Sequence, residues 1–122
     1  MSGNVKFDKW INDDNSENYK CRAWVNFNGE GTVAIRASRN VSSITDTGTG
    51  NYTINFSNAM PDSNYVVCAN GSPKFAVADF TSIAINTVGG ALERVPTTTS
   101  FAIVSRAGSA VDLKYISVAV FR

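Results

Sequence analysis

The side chains here that could do chemistry are carboxylates, two thiols and aromatics; imidazole is missing, because the chain has no histidine. That removes Ser-His-Asp and Cys-His nucleophilic catalysis and the commonest neutral metal ligand. Carboxylates remain. Two of them placed across a glycosidic bond would suffice for sugar cleavage. Asp8, Asp13, Asp14 and Glu17 fall in the first twenty residues. Glu30, Asp46, Asp62 and Asp112 fall among turn residues, where acids are ordinarily solvated, and Asp79 and Glu93 complete the set. Nothing in their spacing brings two of them together. A polysaccharide depolymerase therefore stays only as the catalytic alternative. Asp13-Asp14-Asn15 has oxygen ligands but lacks the spacing of a calcium loop. No glycine-rich phosphate loop opens a helix. The sequence assigns no catalytic, cofactor or metal residues, and it assigns no ligand-binding residue. The chain is read as a protein that is not an enzyme.

Cys21 and Cys68 fit neither a zinc pattern nor a CxxC redox pair. The expectation is two buried free thiols on strands, kept reduced in a bacterial cytosol, with a Cys21–Cys68 disulfide as the alternative. Four Asn-x-Ser/Thr triplets begin at Asn40, Asn51, Asn55 and Asn70; they are read as polar-face residues, not glycan acceptors. Trp24 points opposite to Ala23, Val25 and Phe27. An aromatic face there could stack on a sugar. The plainer reading buries it against another copy or in the other half of the core.

Such residues need a scaffold, and the scaffold has a period of two. Ala23, Val25 and Phe27 alternate with Arg22, Trp24 and Asn26; Val33, Ile35 and Ala37 alternate with Thr32, Ala34 and Arg36. Tyr52, Ile54 and Phe56 alternate with Asn51, Thr53 and Asn55. This pattern puts one set on a core face and the other on a polar face. Further strands are expected at 41–46, 65–69, 75–80, 82–88, 101–105 and 113–121. Turn residues separate them: Asn28-Gly29-Glu30-Gly31 suits a hairpin, and Met60-Pro61-Asp62-Ser63 a proline turn. Residues 91–95 hold a single helical turn at most. About eight or nine strands at short intervals give an all-β antiparallel β-sandwich. The last strand, Tyr115 to Phe121, is apolar on both sides, so a loop or another subunit should cover its second face.

The composition agrees. Hydrophobic residues make up 43% and charged residues 17%, so Asn, Ser, Thr and Gly must supply the polar surface. Net charge is +1 with no basic stripe, which argues against nucleic-acid partners. No segment reaches membrane-spanning length, and no signal peptide is visible, so synthesis in a host cytoplasm is expected. Residues 1–20 read as a polar leader, with Phe7, Trp10 and Ile11 ahead of an Asn/Asp run that anchors either to a neighbour or to its own domain. Residues 21–122 form the sandwich domain.

One stretch is familiar. Cys21-Arg22-Ala23-Trp24-Val25-Asn26-Phe27-Asn28-Gly29 is followed by Gly31 to Ser38, Asn40 to Asp46, Gly48 to Phe56, and Ala59-Met60-Pro61-Asp62-Ser63-Asn64-Tyr65. This run resembles a C-terminal module of tail fibres and related structural proteins of marine and cyanobacterial phages. The ending Val118-Ala119-Val120-Phe121-Arg122 is similar to that module's terminus, more weakly. Residues 70–114 match nothing familiar, and binding specificity is expected to vary there. The resemblance implies a virion protein, homotrimeric and jelly-roll-like, that touches a glycan or receptor on the host surface. Its alternative is a capsid decoration or tail adaptor protein with a purely structural role. Family members sit at the end of a longer fibre chain, so a free-standing small protein and an excised domain are both open readings. The leader is expected to dock on other virion proteins. Deleting residues 1–20 should then leave the strand fold intact by circular dichroism and abolish incorporation into particles; surviving incorporation contradicts the docking role.

Overall fold

The computed structural model describes residues 3, 4, 6, 8, 10, 11, 13–15, 21–73, 81–89, 92, 93 and 95–122. The expected strand at 75–80, with Asp79, lies outside them, as do Phe7 and Glu17. In chain order the strands are β1 (Cys21–Asn28), β2 (Ala34–Arg39), β3 (Val41–Gly48), β4 (Asn51–Phe56), β5 (Val66–Gly71) and β6 (Thr81–Ile85). Then come β7 (Val88–Gly89), β8 (Leu92–Glu93), β9 (Ser100–Ala107), β10 (Ser109–Ala110) and β11 (Ile116–Phe121). Among the described residues there is no helix. Within 91–95, where the sequence allowed a single helical turn at most, Leu92 and Glu93 pair with Gly89 and Val88 as a short hairpin.

Apart from the β7–β8 hairpin, the strands form two antiparallel sheets. The first has the order β2-β1-β11-β5. In the second, β9 pairs β4, and β4 pairs β3. Arg106 and Ala107 pair β6 on one edge of β9 and β10 on the other, so β10 continues the line of β4. The inward rows of the two sheets fill one core. Ala23, Val25, Phe27, Ile116, Val118 and Val120 come from the first sheet; Tyr52, Ile54, Phe56, Phe101 and Ile103 come from the second. These are the apolar positions that the period of two selects. Met60, Tyr65 and Leu113 close the ends.

At one end the Phe27 and Tyr52 rings meet edge-on across the sheets, with centroids 5.2 Å apart. At the other, Phe56, Tyr65 and Phe101 form a ring cluster with centroids 5.5 to 5.8 Å apart. Such pairs add about 0.5–1.5 kcal/mol beyond the area they bury. The Tyr52 hydroxyl lies 2.7 Å from Asp112 Oδ1 and 3.0 Å from the Gly29 carbonyl. It has one proton, and the nearer, charged acceptor takes it. Asp112 Oδ1 also accepts the Gly50 N–H at 2.7 Å, and the Ser105 N–H donates to the Gly50 carbonyl.

The sequence pattern fails at three places, each for a physical reason. In β2 a bulge shifts the register between Asn26↔Ala37 and Phe27↔Ile35, so Ala37 faces outward with Asn26, and Ile35, expected in the core, is 37% exposed. At Asn40 the chain leaves one sheet for the other with φ of 55°, a left-handed conformation that Asn tolerates. Its amide bonds the carbonyls of Arg22 and Asn58, and its side-chain oxygen accepts the Asn58 N–H, so it is a corner brace. Third, the strand buried on both faces is β9, where Phe101 to Ser105 are all buried. The loop expected over β11 is absent among the described residues, so its second face is open in the single chain and only the other alternative, another subunit, is left for it.

Gly29 is needed for close approach. A Cβ there would sit 2.4 Å from the Tyr52 hydroxyl and 2.9 Å from the Leu113 carbonyl oxygen. Gly29→Ala is expected to cost about 1–3 kcal/mol, read as a lower urea midpoint. An unchanged midpoint contradicts the clamp. Burial holds the Tyr52 phenol well above its ordinary value, reinforced by its bond to Asp112, and pushes Tyr65 up to about 12. The folded state therefore keeps these protons more tightly than the unfolded chain. Their contribution is complete below pH 10 and is lost as pH rises through 10 and past 12. The urea midpoint should fall across that window, and less steeply in Tyr52→Phe; a flat profile is the contrary result.

Candidate functional site

The outer face of the first sheet is the candidate site. Directly paired residues on antiparallel strands share a face, so the register reads off its rows. Cys21, Phe121 and Val66 form the first row. Arg39, Trp24, Ala119 and Cys68 form the second; Ala37, Asn26, Ser117 and Asn70 form the third. Tyr115 lies beyond β11, tied to Ser72 by a backbone bond of 2.9 Å. Arg36 stacks on the Tyr115 ring, its guanidinium carbon 4.1 Å from the centroid.

The surface is unusually apolar for an outward face. Val66 is 60% exposed, Phe121 38%, Trp24 37% and Tyr115 49%. Beside Trp24 lies a shallow groove of about 350 Å³ with Ala119 and Ser117 in its floor and Asn26, Cys68 and Asn70 around it. A second hollow of about 290 Å³ sits at the first row, against Val66, Phe121, Asn64 and Arg122. Within the third row, Asn26 Nδ2 donates to Ser117 Oγ at 2.8 Å. The face has a cationic margin on β2. Arg36 donates to the Lys114 carbonyl at 2.7 Å, and Arg39 lies 5.9 Å from the Trp24 ring centre.

Two expectations change here. Trp24 is not in the core; it stands at the side of an open groove. The thiols are free, as expected, but Cys21 and Cys68 are exposed and not buried. The alternative disulfide fails on strand order. β11 lies between β1 and β5, which sets the two Cα atoms roughly 9–10 Å apart or more at ordinary strand spacing, beyond the reach of an S–S bond.

The carboxylates do other work. The Arg122 guanidinium bonds both Asp62 oxygens, at 2.9 and 2.7 Å. That pairing, with the Asn64 N–H, holds Asp62 down to about 2. Asp46 accepts the Gly48 N–H in its turn. Asp112 serves Tyr52 and Gly50. Among the described residues no group of three or more acids or cysteines gathers to hold a metal. Of the triplet asparagines, Asn51 and Asn55 lie on the polar face of β4, Asn70 lies on the candidate face, and Asn40 is the corner brace instead of a polar-face residue. At this site the sequence marked Trp24, the second apolar face of Tyr115 to Phe121, and Asn70 only as a polar-face residue. Asn70, Ser117 and Arg39 join Trp24 through pairings of distant segments, and no local signal announces the meeting. No protein-family model, curated protein or solved structure matches the chain.

The thiol assignment has a direct check. Intact mass after air oxidation should show both cysteines reduced within every monomeric chain. A monomer lighter by two hydrogens, with a Cys21–Cys68 peptide pair, contradicts the strand order.

Proposed function

We propose that this chain is a phage tail-fibre-type virion module that assembles with copies of itself and attaches to a host surface. The open outer face of the first sheet carries the reading. Soluble monomers seldom leave contiguous apolar surface without a partner, and here the first row alone exposes Phe121 and Val66. In this reading copies meet at the Cys21–Phe121–Val66 end, as a homotrimer. The two-sheet strand order, in which the chain passes between sheets at Asn40 and again between β4 and β5, supports a jelly-roll-like wrap. The Trp24 end of the face then stays available for a host glycan or receptor. Three linked sites turn weak single contacts into firm attachment through effective concentration. The proposed work is binding: the carboxylates of Asp46, Asp62 and Asp112 are taken up by backbone, guanidinium and phenol groups.

A second reading, a capsid decoration or tail adaptor, is favoured by the leader. Trp10 and Ile11 are 55% and 48% exposed, large apolar groups that docking on a neighbouring virion protein would bury. In both readings the protein resides in the virion.

Sedimentation equilibrium tests the assembly. The wild type should run as a trimer. Val66→Asp with Phe121→Asp should run as a monomer with an unchanged circular dichroism spectrum, since both side chains face outward. A wild-type monomer at micromolar concentration, or a trimer untouched by both substitutions, contradicts the reading. Attachment predicts binding to intact host cells, and its absence counts against the fibre role.

A further inference from the structure

We infer that the Trp24 groove takes an acidic saccharide, with a sugar ring stacked on Trp24 and its carboxylate at the Arg39 margin. The inference rests on the host-attachment reading and names its ligand class. Three observations on one patch carry it.

The first is the aromatic wall. Trp24 is part-exposed beside a groove whose floor is the small residues Ala119 and Ser117. A flat ring beside a low floor leaves room for a sugar ring, and the apolar C–H face of a sugar fits an indole face. The second is the polar row. Ser117 Oγ accepts from Asn26, which leaves its own proton for a ligand oxygen. Asn70, across Ser117 in the same row, brings an amide that both donates and accepts. Paired donors and acceptors at a groove wall suit sugar hydroxyls.

The third is charge. The chain has 11 basic and 10 acidic residues, nearly balanced. This face is not. Arg39 stands beside the Trp24 ring, and Arg36 and Lys114 stand beside Tyr115; the groove's own lining carries neither a cation nor a carboxylate. Arg39 uses one N–H on the Ser38 carbonyl, and a guanidinium has five. A carboxylate sugar complements this margin; a neutral glycan does not use it. Single-stranded nucleic acid could also stack on Trp24, but it needs cations tracking a backbone. Here Arg39 flanks Trp24, Arg36 and Lys114 flank Tyr115, and Arg122 at the first row is paired with Asp62, so no track of cations follows the groove.

The test uses the full chain with three probes: alginate, a polymer of uronic acids; dextran, a neutral glucan; and oligothymidylate. Affinity electrophoresis should show retardation by alginate, weakened by added salt, and none by dextran. Trp24→Ala should weaken alginate binding at least tenfold, and Arg39→Gln several-fold with loss of most salt dependence. Both should keep the trimeric mass. In a Trp10→Phe background the remaining indole emission should shift when alginate is added. Trp24→Phe, which keeps a ring, should retain part of the binding and covers the case in which the alanine variant does not fold. The inference is overturned if alginate does not bind, if Trp24→Ala binds as well as wild type, or if Trp24→Ala dissociates the trimer. Tighter binding to oligothymidylate overturns it too. Host-cell adsorption that alginate cannot compete away removes the acidic-sugar assignment and leaves the attachment reading standing; loss of adsorption itself removes both.

Discussion

Tyr52 sits between the two sheets with its ring edge on Phe27 and its hydroxyl on the Asp112 carboxylate. The segments it joins are far apart in sequence: the β1–β2 connection at Gly29, the β3–β4 turn at Gly50, and the approach to β11 at Asp112 and Leu113. A buried phenol needs a partner, and leaving its acceptors unsatisfied costs about 1–3 kcal/mol. The bond to Asp112 meets that need and, through the Gly50 N–H, fixes where β4 begins against β9. Once this end is closed, the period of two determines the rest. Every inward residue of β1, β4 and β11 enters the core, and every outward residue is committed to the surface.

That commitment creates the candidate face. β1 and β11 are central strands of the first sheet, so their outward residues cannot turn away from one another. Phe121, Ala119 and Trp24 are held on one plane by the same pairing that buries Val120, Val118 and Val25 on the other. The cations of β2 line one margin because the bulge after Asn26 turns Arg36 toward Tyr115 while Arg39 stays opposite Trp24. Apolar surface lies at one end of the face, aromatic and amide groups lie toward the other, and positive charge lies along the side. In the proposed reading, assembly and recognition divide the face without competing for the same residues.

Much of this could be read in the amino-acid order, and the rest was hidden for definite reasons. β1 and β4 were plain, because strict alternation of large apolar residues has no competing interpretation. β9 carried its signal openly in Phe101-Ala102-Ile103-Val104, yet the similar run in β11 drew the two-face reading instead. Burial on a second face depends on what lies over a strand, which periodicity does not encode. The β2 bulge could not be read, since a bulge is settled by the partner strand's register. Asn40 looked like one more polar residue until its positive φ and corner contacts made it a brace. Gly29 looked like an ordinary hairpin glycine, while its real constraint is the Tyr52 hydroxyl, 23 residues away. At the candidate site Trp24 was visible by its place opposite the core row. Asn70, Ser117 and Arg39 became its neighbours only when β5, β11 and β2 took their places around β1.

The account stands on the outer face of the first sheet being where this protein meets its partners. Hydroxyl-radical footprinting of the assembled protein against chains dissociated by dilution tests that most directly. The account predicts loss of reactivity at Val66, Phe121 and Cys21 on assembly, with Trp24 still reactive. Protection confined to the polar face of β3 and β4, with Val66 and Phe121 equally reactive in both states, would contradict it.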